Sequence, residues 1–476
     1  MSIAEEKIDE LITETGESYR DRVSVIDKKG HRVWLYPKKP LWGKFHKYRS
    51  IVGYFLIVFF FTLPFIKVNG EPYFLIDLIN RKFIFFATLW YPHDFYIFAI
   101  GILSFAVFIV LFTAVFGRIF CGWACPQTIF MELVYRKIEY FIEGDSNKQK
   151  ALKKAPFSAE KFFKKFTKHS LFLILGFVIN FFVFTYFNGV ERLIEIIFLR
   201  PEEHLGGFFA YIGFSLAFYG NYAWFREQAC TFVCPYGRLQ SVLLDKNTII
   251  VAYNYKRGEP RGKLKEGKIK DGKGDCIDCG ACVRVCPTGI DIRNGLQLEC
   301  VNCTNCIDSC DAIMDKIGRP RGLITYTSLN NIEKEEKFKF TPRLTFYSVV
   351  LTILLIVFTY MIFSRTEVEA NILRAKGSTF FQDSLGYVTN IYTFKLINKT
   401  FKQYHLNFET INHKGTIRLV GLDTLRLKPE AILEGTFLLS IHKSELNQMK
   451  NDVKIGLFSN GRLIDAIKTN FSAPMN

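Results

Sequence analysis

Cys276-Ile-Asp-Cys279-Gly-Ala-Cys282-Val-Arg-Val-Cys286-Pro287 and Cys300-Val-Asn-Cys303-Thr-Asn-Cys306-Ile-Asp-Ser-Cys310 share one spacing, C-x2-C-x2-C-x3-C. Each cysteine of the first stretch recurs 24 residues later, an internal repeat that holds eight of the twelve cysteines. This is the run that binds [4Fe–4S] cubes in pairs. Three closely spaced thiolates cap three corners of one cube, and the fourth, after a longer gap, reaches across to the other. The pattern assigns Cys276, Cys279, Cys282 and Cys310 to one cluster, and Cys300, Cys303, Cys306 and Cys286 to the other. Structural zinc or a disulfide framework would favour one or two C-x2-C pairs with variable spacers. Asp311 stands where the first half has Pro287, a change at the following turn that removes no ligand.

The surrounding composition is that of a membrane protein. The chain has 476 residues, of which 49% are hydrophobic and 49 are Phe, and its mean hydropathy is above zero. Apolar runs at 49–66, 95–117, 170–187, 207–222 and 344–363 predict five transmembrane spans. The net charge of +17 would suit nucleic acid, but the basic residues flank the apolar runs and sit in no nucleic-acid module, so no nucleic-acid partner is expected. No short apolar segment follows a basic N-terminus with a small-residue cleavage site, so no removable signal peptide is expected.

Residues 118–168 hold eleven Lys/Arg, whereas 67–94 and 188–206 hold three and two. The excess marks the cytoplasmic side. On that topology the polar tail 1–48, which carries Lys28, Lys29, Lys38 and Lys39, lies inside. The region 49–253 contains spans one to four, and the Gly- and Lys-rich stretch 254–275 reads as a flexible tether. An α+β two-cluster ferredoxin-like module occupies 276–343, the fifth span is 344–363, and the chain continues outside. All twelve cysteines then fall at the cytoplasmic side, which fits reduced thiols and cluster ligation better than exported disulfides. In 366–476, segments such as Val388–Leu396, Thr416–Val420, Thr436–Ile441 and Val453–Phe458 are separated by turn signals, among them Ser459-Asn460-Gly461-Arg462, and predict an all-β sandwich.

Four cysteines lie outside the repeat. Cys121-Gly-Trp-Ala-Cys125-Pro126 and Cys230-Thr-Phe-Val-Cys234-Pro235 are both C-x3-C-P and follow the second and fourth spans. Residues four apart on a helix share a face, so each pair is expected to present two sulfurs together. The proline suits the first position of a new helix. A thiol at a helix N-terminus, with Arg118 and Arg238 nearby, is expected to be acidic. The pairs are candidates for a soft-metal site, a dithiol/disulfide couple or ligands to a further cluster. No Asp, Glu, Lys or Arg lies in the cores of the five runs, which counts against an ion or proton pump. His169 stands at the edge of the third run, and His93 and His204 fall in outer loops, so paired intramembrane imidazoles for a b-type haem are missing.

With both C-x3-C-P motifs, the repeat at 276–310 and Met314-Asp-Lys-Ile-Gly-Arg-Pro-Arg-Gly-Leu323, the chain resembles the FixG/CcoG/RdxA family of cytochrome c oxidase accessory proteins over its whole length. The resemblance implies a multi-pass protein of the bacterial inner membrane, with the ferredoxin module cytoplasmic and an Ig-like C-terminal domain periplasmic. It implies an oxidoreductase, a cupric reductase that turns Cu(II) into Cu(I) for assembly of cbb3-type cytochrome c oxidase. Its cofactors are two [4Fe–4S] clusters. Copper is its substrate or ligand at Cys121, Cys125, Cys230 and Cys234, and oxidase assembly factors or a copper chaperone are its partners, beside the lipid bilayer and an unidentified electron donor. Two other readings are a quinol dehydrogenase passing electrons through C-x3-C-P and ferredoxin motifs, and a non-catalytic assembly scaffold that docks through its sandwich. Reduction of the clusters by added quinol would favour the first; activity that survives loss of 366–476 while assembly fails would separate docking from chemistry.

Overall fold

The computed structural model describes residues 32–474 apart from 69, 79–81, 91–93, 264–271, 296, 298, 337, 376, 378–379, 422–423 and 447. Most of the polar tail, His93 and the middle of the expected tether therefore lie outside the described residues. The chain divides into two compact units, one of residues 1–65 and 102–355 and one of residues 66–101 and 356–476.

Each apolar run of the sequence is helical: α1 Lys44–Thr62, α2 Phe95–Phe116, α3 Ala159–Asn188, α4 Leu205–Gly220 and α5 Pro342–Phe363. Among the described residues four of these helices, all but α4, are long and apolar enough to cross a membrane. α4 has 16 residues, about 24 Å of helix, and continues as a π-helical turn over Asn221–Phe225. In the first unit, α3 and α4 pack closely at Gly176, where an added Cβ would lie 3.4 Å from the Ser215 carbonyl oxygen. Beside it Asn180 donates to Ser215 Oγ at 2.9 Å and to the Tyr211 carbonyl at 3.2 Å, so small residues and a satisfied polar side chain hold the pair.

The cysteine-rich module of the same unit is bracketed by an antiparallel strand pair, Ile250–Tyr253 with Ile324–Thr327. Its core joins Val251, Tyr253, Ile307, Met314 and Leu323 to the cysteines. The stretch expected to be a tether is partly built into it. Tyr255–Gly258 forms a helical turn, Arg257 binds Asp275 at 2.5 Å and the carbonyls of Pro320 and Arg321, and Gly262 N donates to Cys276 O at 3.1 Å. Composition alone hides this, because the contacts are made by backbone and by one guanidinium. The Asp308 carboxylate accepts from Phe45 N at 3.1 Å and His46 N at 2.7 Å. It thus caps the first turn of α1, a favourable place for an anion.

In the second unit two sheets form the sandwich. One has the order Gly415–Val420, Ile432–His442, Tyr387–Asn398, Val368–Arg374, with Phe381–Gln382 beside Tyr387–Asn398; the other runs Leu425–Leu427, Tyr404–Thr410, Lys450–Ser459, Arg462–Ser472. Tyr392, Phe394, Phe408 and Phe437 fill the space between them. Asn460 and Gly461 take positive φ, the two-residue turn that the right-handed strand twist prefers. The stretch 67–94, expected to be a loop, instead holds a three-stranded antiparallel sheet, Phe74–Asp77, Lys82–Phe85 and Thr88–Trp90, whose Leu75, Ile84 and Leu89 pack with Phe401. Its strands have three or four residues, too few for alternation to register.

Asp94, 1% exposed, binds Lys399 at 2.6 Å and Arg365 at 2.8 Å. Burial pushes its carboxyl up, and the hydrogen bonds and charges of Lys399 and Arg365 outweigh that, leaving the group below its ordinary range. Asp94→Asn should destabilise the protein by about 3 kcal/mol at neutral pH, because Lys399 and Arg365 lose the buried carboxylate they share, although Lys399 keeps Glu369 at 2.8 Å and Arg365 keeps the Leu89 carbonyl. A depressed carboxylate contributes stability above its unfolded value of about 3.9 and loses it as pH falls through the folded one. The gap between wild type and variant in thermal unfolding should therefore close on acidification.

Candidate metal–thiolate centre

The two halves of the cysteine repeat fold alike because their backbones turn alike. Asp278 and Gly280 take positive φ, and so do Asn302 and Thr304, their counterparts 24 residues on. Left-handed residues alternating with right-handed ones curl a loop so that its N–H groups face one concavity, an anion cradle. Short helices follow, Ala281–Val285 and Asn305–Lys316. The first stops at Cys286-Pro287. The second runs past Cys310, because Asp311 has no ring to end it and accepts from Gly322 N at 3.0 Å.

The structure brings the eight thiols into two groups. Cys276, Cys279, Cys282 and Cys310 line one cavity together with Met314, Leu323 and Ile324. Cys286, drawn away from its own half, lies within electrostatic reach of Cys300, Cys303 and Cys306. Burial pushes the thiols of Cys282 and Cys300 up to about 11 and those of Cys303 and Cys310 to about 12. Buried, mutually facing thiols of this kind are poor as free acids and suited to a cationic iron–sulfur core, which takes them as thiolates. Four thiols around a cavity with apolar walls fit a [4Fe–4S] group. Among the described residues no His, Cys, Asp or Glu group is drawn in tightly enough to hold a single metal ion.

The two C-x3-C-P motifs are structural copies offset by 109 positions, Cys121 to Cys230 and Cys125 to Cys234. Each begins at a residue of positive φ four positions before its first cysteine, Gly117 and Arg226. Each closes by a backbone bond from the second cysteine to the residue five before it, Cys125 N to Phe120 O at 2.9 Å and Cys234 N to Ala229 O at 2.8 Å. Arg226 holds its left-handed turn with a bidentate grip on Glu139, at 3.1 and 2.5 Å. The paired cysteines do not share one helix face as expected. Cys121 sits in the short helix Ile119–Trp123 and Cys230 in the π-turn Ala229–Val233, while Cys125 and Cys234 are extended and cap new helices that open with Pro126 and Pro235.

The copies approach one another without forming a closed metal-binding group among the described residues. Cys230 lies within electrostatic reach of Cys125, Cys121 and Cys234, and Cys121 donates its Sγ–H to Gln240 Oε1 at 2.9 Å. Gln240, fully buried, belongs to the helix Pro235–Leu243 that the second motif starts. Cys121, Cys125 and Cys230 are not acidic in this setting. Burial pushes Cys121 up to about 11 against the pull of Arg118, and Cys230 up to about 12; Cys125 is raised by burial although the N–H groups of Gln127 and Thr128 lower it. Desolvation exceeds the helix-terminus effect here.

The motif also abuts the repeat. Cys121, Val301 and Cys303 form one buried cluster with Tyr236 packed on it. A Cβ on Gly122 would lie 2.4 Å from the Val301 carbonyl oxygen, so the two backbones meet at a distance only glycine allows. Trp123 Nε1 donates to the Tyr326 hydroxyl at 3.0 Å, and that hydroxyl donates to Asn302 O at 3.2 Å. Gln240 and Trp123 carry no spacing signal, whereas Arg118 stands close enough to Cys121 in sequence to be expected beside it. Of the histidines, His169 Nδ1 lies 3.0 Å from the Tyr219 hydroxyl and His204 directly precedes α4; neither joins the thiol site.

Comparison with known proteins identifies the same regions. Residues 225–329 match a family model described as a 4Fe-4S dicluster domain, 98–144 one described as a 4Fe-4S binding domain, and 358–474 the Ig-like fold at the C-terminal of FixG. The nitrogen fixation protein FixG of Rhizobium meliloti is 31% identical over 468 residues, covering 89% of this chain and 86% of the relative. The chain belongs to the FixG/RdxA family. Protein RdxA of Cereibacter sphaeroides is 37% identical over 336 residues, 68% of this chain and 70% of the relative, and RdxB of the same organism is 34% identical over 382 residues, 77% and 79%. This FixG/RdxA-family chain is a membrane iron–sulfur protein of electron transfer, with an Ig-like C-terminal domain. Both C-x3-C-P motifs fall inside the iron–sulfur matches.

Gly122→Ala should destabilise the protein by roughly 1–3 kcal/mol through overpacking against backbone. Gly213→Ala, where nothing lies within 4 Å, should not. Thermal unfolding of the two variants beside wild type checks the pair.

Proposed function

We propose that this protein reduces Cu(II) to Cu(I) at Cys121, Cys125, Cys230 and Cys234, and that the product serves assembly of a cbb3-type cytochrome c oxidase. The observation that carries the reading is the packing of Cys121 against Val301 and Cys303, which sets the four-thiol site beside the thiols of the second group. In this reading Cys276, Cys279, Cys282 and Cys310 hold one [4Fe–4S] cluster, and Cys286, Cys300, Cys303 and Cys306 the other. When bound and reduced, these clusters supply single electrons at low potential.

What the chain's own residues do follows from their chemistry. Copper entering as Cu(II) gains one electron and becomes Cu(I), a soft d10 ion that thiolates prefer over harder ligands. The buried thiols give up protons as they take the ion, so retention weakens as pH falls. Arg118, buried beside Cys121, offsets part of the negative charge that thiolates bring. Gln240 Oε1 orients the protonated Cys121 thiol by accepting the hydrogen bond from its Sγ–H. The same reading takes the chain as five-spanning in a bacterial inner membrane, with the cysteine-rich module cytoplasmic and the sandwich periplasmic. The basic excess in 118–168 supports that orientation. Oxidase assembly factors or a copper chaperone would receive the ion, and the electron donor would engage the module from the cytoplasm.

Cys121→Ser with Cys234→Ser should abolish Cu(I) formation from Cu(II), measured with a Cu(I)-specific chelator, while the visible iron–sulfur absorbance stays. Undiminished Cu(I) formation in the double variant would rule these thiols out. Loss of iron along with the thiols would instead make them ligands of a further cluster.

A further inference from the structure

The two thiol groups of the module differ in the buried positive charge around them. Arg49, on α1, is 3% exposed. Its Nε donates to Gly122 O at 2.7 Å and its Nη1 to Asn305 Oδ1 at 3.4 Å, while Nη2 is buried with no hydrogen-bond partner among the described residues. It is the largest charge influence on Cys303. Arg118, 5% exposed, acts in the same direction on Cys300. The Asp308 carboxylate of the module, close to the start of α1, is engaged by the backbone N–H groups of Phe45 and His46. Glu132 and Glu299 oppose Arg49 and Arg118 at Cys303 and Cys300. Around the other group the main cation, Arg293, which acts on Cys282, is paired twice, whereas Arg49 has no ion pair among the described residues. Arg293 is bound by Asp291 at 2.7 Å and Asp278 at 2.5 Å, and the Asp311 carboxylate lies within reach of Cys310.

A buried N–H without an acceptor is costly, and the sulfurs of an iron–sulfur group are acceptors. We propose that Arg49 donates its free Nη2 N–H to the cluster held by Cys286, Cys300, Cys303 and Cys306, and makes that cluster the more easily reduced of the two. Reduction adds one negative charge, which a buried cation stabilises in a low-dielectric site, and net charge and hydrogen bonds to sulfur are what set such potentials. The electron then rests preferentially in the group that packs against Cys121, so Arg49 gives the module a direction. It is a positioning and tuning residue, joined through Gly122 to the thiol motif itself. The inference rests on the cluster assignment proposed above.

The test is an EPR-monitored redox titration of the purified, anaerobic full-length protein with iron analysis on the same samples. Wild type should show two one-electron waves at separate potentials. In Arg49→Gln the higher wave should move to more negative potential, so that at its wild-type midpoint the reduced-to-oxidised ratio falls about tenfold, a shift of about 59 mV for one electron, while the lower wave stays. Arg49→Lys, which keeps the charge and loses the planar fork, should shift the same wave less, and it carries the test if the Gln variant loses iron. Coincident waves in wild type, no shift in either variant, or a shift of the lower wave alone would overturn the proposal. Iron well below about eight atoms per wild-type chain would mean that the cluster assignment has failed instead.

Discussion

The approach of Gly122 to Val301 is the constraint on which the functional unit depends. Two backbones of the first C-x3-C-P motif and the cysteine repeat meet where a Cβ would lie 2.4 Å from a carbonyl oxygen. Everything around the contact keeps it closed. Arg49 bonds the Gly122 carbonyl from α1, Asp308 ties α1 back to the repeat, and Trp123 reaches Asn302 through Tyr326. These links are polar and directional, which suits a junction whose value lies in a fixed short distance. Apolar packing alone tolerates small slides.

The second device is duplication. The cysteine repeat and the C-x3-C-P motif each occur twice, and in both cases the copies share left-handed backbone positions as well as cysteines. In the repeat, Asp278, Gly280, Asn302 and Thr304 shape the cradles. In the motif, Gly117 and Arg226 perform one turn with different means. Glycine adopts positive φ freely, whereas arginine does so here because Glu139 holds its guanidinium. Each copy supplies half of a site: Cys286 and Cys310 cross between cradles, and Gln240 of the second motif reaches Cys121 of the first.

How much of this the sequence discloses depends on range. The cysteine spacing, the apolar runs and the turn at Asn460-Gly461 are local patterns, and the helices and the hairpin stand where those patterns put them. The contacts that make the site are not local. Arg49 meets Asn305 from 256 positions away and Cys121 meets Gln240 from 119, and neither residue type announces its partner. The three-stranded sheet in 74–90 escapes because its strands are short. The strand Arg462–Ser472 escapes because it lies at a sheet edge where only Phe471 is fully buried, so polar residues blur its alternation. The acidity expected of a thiol at a helix N-terminus is present at Cys125 as the pull of the Gln127 and Thr128 N–H groups, but burial, a tertiary property, outweighs it.

On the proposed function, electrons held in the module reduce copper at the four C-x3-C-P thiols. The most direct test is a titration of the purified, anaerobically reduced protein with Cu(II), following the iron–sulfur EPR signal and Cu(I) formation in the same sample. The account predicts that the clusters reoxidise as Cu(I) appears in matching amounts. Clusters that stay reduced while no Cu(I) forms would contradict it.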